Sequence, residues 1–115
     1  MKTNIEEFYT RINLKSDLSE LSKLICQKYN LGNYLSDEII LVGYEDFNFI
    51  LTTDNGKYCV KIFNKERTSL DVKMYIDRIE LANTLDINTP KVYKCNNDIL
   101  CEISLDNVTF RLCVF

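Results

Sequence analysis

Phe47, Phe49 and Leu51 alternate with Asn48 and Ile50, and Asp54-Asn55-Gly56 follows directly. A strand places successive side chains on opposite faces, so this spacing predicts a strand with one apolar face. Asn-Gly tolerates the positive φ angles of a tight turn, which predicts a hairpin. Tyr58 to Phe63 is then the return strand, and the apolar run Ile39–Val42, ended by Gly43, is a strand before both. A chain with this centre must build an antiparallel sheet and cover its apolar face.

The residues on either side have a different period. Ile5, Phe8 and Ile12 share one side of a short helix over residues 4–12, and Leu18, Leu21 and Ile25, with Leu24 at the margin, form the stripe of a firmer helix from Asp17 to Tyr29. Ser16 or Asp17 caps its start, with Glu20 placed as in a capping box, and Gly32 offers a left-handed stop. Thr68 and Asp71 repeat the capping pattern before a helix over 69–85, whose inward face is Val72, Tyr75, Ile76, Ile79 and Ala82. Pro90 forbids further helix. Val92–Cys95, Ile99–Leu105 and Val108–Phe115 read as strands separated by Asn96-Asn97-Asp98 and Asp106-Asn107. The expected fold is α+β: a five-stranded antiparallel sheet, one helix packed on a face, and N-terminal helices. The organisation is a helical segment, 1–37, leading into a sheet unit, 38–115, as one compact domain.

Composition removes several function classes. At 115 residues and net charge −3 the chain lacks the basic footprint of a nucleic-acid or anionic-membrane binder. It contains no histidine, so histidine-based metal or acid–base chemistry is excluded within it. Cys26, Cys59, Cys95, Cys101 and Cys113 are odd in number and form no Cys-x-x-Cys pair, as expected of buried free thiols in a reducing compartment. No signal-like or membrane-length apolar run is present, and the expected location is the cytoplasm. The sequence ends inside the apolar run Arg111–Phe115, from which further polypeptide is expected to follow.

Lys61 stands out chemically. It lies between Val60 and Ile62 in the return strand, on the side of Cys59 and Phe63. An ammonium buried there alone is costly, so it needs solvent, a carboxylate from the following helix, or an anion such as a nucleotide phosphate. The run from Val42 to Phe49, then Asn55-Gly56-Lys57-Tyr58-Cys59-Val60-Lys61-Ile62-Phe63, a helix, and Asn88-Thr89-Pro90-Lys91-Val92-Tyr93 resembles the N-terminal lobe of the aminoglycoside phosphotransferase and choline kinase family, which has the protein-kinase fold. The resemblance covers residues 38–115.

It implies that Gly43 opens a loop over the phosphates, that Phe49 and Cys59 face the adenine, and that Lys61 contacts the α- and β-phosphates. It also implies an acid of the 69–85 helix, Glu80 or Asp77, holding Lys61. ATP and Mg²⁺ are the expected cofactors of a complete enzyme. The metal ligands, the catalytic aspartate and the site for a small-molecule hydroxyl acceptor would lie in a second, C-terminal lobe. The isolated chain is then expected to bind nucleotide weakly or undetectably, to turn nothing over, and to self-associate through its exposed lobe interface. The residues also admit plainer roles: Gly43 as a turn, Lys61 as a snorkelling lysine, Glu80 as a solvated charge. A non-enzymatic α+β interaction module is the alternative function.

Overall fold

A computed structural model describes residues 5–41, 45–85 and 91–115. In chain order the elements are α1 (Ile5–Arg11), α2 (Leu18–Tyr29), β1 (Tyr34–Ile39), β2 (Phe47–Thr53), β3 (Gly56–Ile62), α3 (Ser69–Thr84), β4 (Cys101–Leu105) and β5 (Val108–Val114). The five strands form one antiparallel sheet of order β1-β2-β3-β5-β4, so α3 lies in the crossover from β3 to the last hairpin. The expected α+β architecture is the one observed. Among the described residues no helix is long and apolar enough to cross a membrane.

Strand alternation divides the interior in two. Phe47, Phe49 and Leu51 of β2, Val60 and Ile62 of β3, and Phe110, Leu112 and Val114 of β5 face α1 and α2. They pack with Phe8, Leu18, Leu21 and Ile25. The opposite face carries Phe63, Cys113, Ile99 and Phe115 against Val72, Ile76, Tyr75 and Ile79 of α3. The sheet is therefore covered on both sides. The 37/38 division read from the sequence falls inside β1, and the N-terminal helices share the main core with the sheet.

Several local expectations need correction. Ile5 is exposed while Phe8 and Ile12 are buried. The first strand begins at Tyr34, before the apolar run expected to form it, because β1 is an edge strand with mostly polar, outward residues. Its ladder continues through Ile40 N–H to the Asn48 carbonyl at 2.9 Å. Val92–Cys95 makes only isolated bridges, Tyr93 to Val114 and Cys95 to Asp98. The expectations for Asn88, Thr89 and Pro90 lie outside the described residues. The Asp106-Asn107 turn is as expected: both residues have positive φ, 53° and 65°, which matches the right-handed twist of the flanking strands. All five cysteines are free, and the Cys95 and Cys101 sulfurs lie 3.2 Å apart.

The left-handed stop of α2 is supplied by Asn30 (φ 55°), whose N–H reaches the Cys26 and Gln27 carbonyls. Gly32 has a different role. The β2–β3 turn docks against it: Asp54 accepts from the Asn33 backbone and side chain, both at 2.8 Å, and Asn55 Nδ2 donates to the Leu31 carbonyl at 3.1 Å. A Cβ at Gly32 would overlap Asp54 Oδ1 and Asn55 Nδ2, at a φ of 104° that other residues rarely adopt. Gly32→Ala is expected to destabilise the fold by about 1–3 kcal/mol in urea unfolding. An unchanged midpoint would show that this docking is not tight.

Candidate functional site

Lys61 and Cys59 sit two residues apart on β3 and share the face turned toward α3. A cleft of about 930 Å³ lies there, within the range of small-molecule sites. Ile50 and Cys59 contribute from the sheet, Val92 and Phe115 from the C-terminal segments, and Tyr75, Ile79 and Ala82 from α3. Glu38, Lys57 and Arg78 bring charge to the same cleft. Burial pushes the Cys59 thiol up, with Lys61 opposing, and burial raises the Tyr75 hydroxyl. Both groups are neutral at pH 7, and Cys59 acts as part of an apolar wall.

The Lys61 ammonium stands 5.5 Å from the centre of the Tyr75 ring, so it projects toward α3 beside the cleft. Its ion-pair partner is Asp46 Oδ2, at 3.4 Å. The helix acids expected to hold it do not. Asp77 pairs with Lys73 at 2.8 Å, and Glu80 is an exposed residue bordering a different groove, beside Cys95 and Cys101. The physical reason is helical phase: at about 100° per residue, Asp77 and Glu80 lie roughly 160° and 140° round α3 from Tyr75.

Asp46 is the residue that sequence reasoning missed. Its side chain is 2% exposed. Oδ1 accepts from the Asn64 backbone at 2.9 Å and from Arg67 Nε at 2.8 Å, and Oδ2 accepts from a second Arg67 nitrogen at 2.9 Å. Arg67 thus holds it bidentately, the strongest geometry for this pair. Burial pushes the Asp46 carboxyl upward, but the Arg67 and Asn64 hydrogen bonds and the charges of Lys61 and Arg67 outweigh it, leaving the carboxyl below its ordinary value. At 3.4 Å the Lys61 contact is long for an ammonium–carboxylate hydrogen bond. Among the described residues the ammonium has no other acceptor, so donors remain for an anion. The only sequence signal for this node was a carboxylate directly before a buried strand; its partners stand 15 to 21 positions away.

The other expected site residues separate. Phe49 is fully buried on the α1–α2 face, paired across the ladder with Val60. It cannot face the cleft. Ile50, the partner of Cys59, occupies that place, because one step along a strand reverses the side-chain direction. Gly43 lies outside the described residues. No group of three or more histidine, cysteine or carboxylate side chains that could hold a metal is gathered among the described residues. The cleft suits an apolar ring system, and the adjoining ammonium suits an anion.

Comparison with protein-family models, with curated proteins and with solved structures gives no match for this chain.

Asp46→Asn keeps the shape but removes the charge between Arg67 and Lys61. It is expected to cost about 2–3 kcal/mol, below the loss for a fully buried pair because both cations retain some solvent. The folded-state value of Asp46 is depressed, so its contribution is complete above the ordinary 3.8 and is lost as the pH falls through that depressed value. Urea unfolding from neutral to acid pH should show the two proteins converging below that range. A constant gap would contradict the assignment.

Proposed function

We propose that this chain is the nucleotide-covering lobe of a kinase-like small-molecule phosphotransferase, with ATP and Mg²⁺ as cofactors of the complete enzyme. The observation that carries the reading is the position of the Lys61 ammonium: on the α3 side of the sheet, beside an apolar cleft, with spare donors. In this reading the adenine lies between Ile50 and Cys59 on one side and the Val92 and Phe115 region on the other. The phosphates extend toward Lys61. Asp46 takes the positioning role expected of a helix acid, and Arg67 holds Asp46 in turn. The lysine acts as a point charge that orients and partly neutralises the α- and β-phosphates.

Chemistry would need groups from a second lobe. Phosphoryl transfer uses an aspartate to orient the acceptor hydroxyl and further ligands for Mg²⁺. A hydroxyl-bearing small molecule is the proposed acceptor, and the cytoplasm the proposed location. One observation favours the alternative, a non-enzymatic interaction module: Lys61 already has a carboxylate partner, so its presence is explained without a ligand.

Nucleotide titration followed by amide NMR separates the two readings. ATP is expected to shift the signals of Ile50, Cys59, Tyr75 and Phe115 with a millimolar dissociation constant. Lys61→Ala should weaken ATP binding several-fold while leaving adenosine binding unchanged, since only the phosphates meet the amine. ATP shifts that fall away from the cleft, or a Lys61→Ala chain that binds ATP as the parent does, would reject the nucleotide reading.

A further inference from the structure

Helix α3 is apolar on two opposite sides. Val72 and Ile76 are buried against the sheet. Leu70, Met74 and Leu81 are 65%, 46% and 58% exposed. At 3.6 residues per turn these three fall within a sector of about 40°, diametrically across the helix from Val72 and Ile76. A helix covering one core needs a single apolar stripe, and the second one faces solvent.

The charges beside this outer row are arranged in a self-complementary way. In the heptad frame that puts Leu70 and Asp77 at d and Met74 and Leu81 at a, Lys73 and Glu80 fall at g, and Asp71 and Arg78 at e. Antiparallel helices pair g with g and e with e. Set two copies so that Leu70 of one packs on Leu81 of the other. The same register then brings each Lys73 to the second copy's Glu80, and each Asp71 to the second copy's Arg78. Both kinds of contact are attractive and each occurs twice. A parallel arrangement would instead set Lys73 against Arg78, with like charges in contact. Asp77 falls at the centre of the seam beside the second copy's Met74, and its carboxylate is held by Lys73 of its own chain at 2.8 Å. A polar residue at one seam position disfavours other registers.

We propose that two copies of this chain associate through the outer faces of their α3 helices, packed antiparallel with Lys73 meeting Glu80 across the contact. The row lies away from the Tyr75 and Ile79 side of α3, so those walls of the cleft stay uncovered in the dimer, and Arg78 alone borders both the cleft and the contact. The contact spans about three helical turns and is small for a permanent interface, so its dissociation constant should be on the order of 100 µM.

Sedimentation equilibrium of the full chain from about 10 µM to about 1 mM brackets that value. A monomer–dimer equilibrium is expected. Leu81→Glu and Glu80→Lys should each weaken it roughly tenfold, with unchanged far-ultraviolet circular dichroism. Leu35→Glu, at an exposed site on edge strand β1, should leave it unaltered. Carbodiimide cross-linking of mixed isotopically light and heavy chains should join Lys73 of one to Glu80 of the other. A monomer at every concentration would overturn the proposal and leave the row for a different partner. So would a dimer indifferent to both α3 substitutions, which would move the contact to a sheet edge. Absence of light-to-heavy Lys73–Glu80 links in a dimer that does form would overturn the antiparallel register.

Discussion

The buried carboxylate of Asp46 joins more of this molecule than any other polar group described. It stands immediately before β2 and is held by Arg67 and by the Asn64 backbone, both in the segment that carries β3 into α3. The chain around it is tied further. Arg11 of α1 donates to the Asp46 carbonyl at 3.1 Å, and Arg111 of β5 donates to the Asn64 carbonyl at 2.9 Å. The carboxylate therefore fixes the start of β2 and the approach to α3, and the Asp46 backbone carbonyl carries the contact with α1. A buried charge is tolerated only when its lone pairs are met, and here each carboxylate oxygen has two donors.

The reach of Lys61 depends on that node. A lysine side chain is long and flexible, and on a bare sheet face its ammonium would turn outward to water. The Asp46 charge draws it along the α3 side of β3, while the Tyr75 ring beneath it adds a cation–π contact. Because Arg67 satisfies most of the carboxylate, the lysine is oriented without being fully engaged. That division of labour, with a guanidinium holding the acid and an ammonium left partly available, is the physical basis for reading the adjoining cleft as an anion-terminated ligand site.

Much of the fold was legible in the sequence, for reasons visible in particular residues. The alternation of Phe47, Phe49 and Leu51, the Thr68–Asp71 cap and the Asp106-Asn107 turn are local, and the physics that sets them acts within a few residues. Thr68 Oγ1 accepts the Asp71 N–H at 3.0 Å as its spacing implied. The candidate site was less legible. Cys59 and Lys61 were correctly placed on one face of β3. The opposite orientation of Phe49 was available too, since the hairpin ladder pairs Phe49 with Val60, but hydrophobic character suggested a ligand contact where the ladder dictated core. The acid beside Lys61 was sought on the helix, where spacing alone cannot reveal which side faces the sheet.

The amino-acid sequence by itself determined the element order, the antiparallel hairpins and the side-chain alternation of β2 and β3, because side-chain period and turn stereochemistry are properties of neighbouring residues. Only the tertiary structure decided which carboxylate meets Lys61, which side of α3 borders the cleft, and which apolar row stays in water. Those outcomes depend on how α3 is rotated against the sheet and on where the chain returns at Asn64 and Arg67. Packing sets both, through groups that stand far apart along the chain.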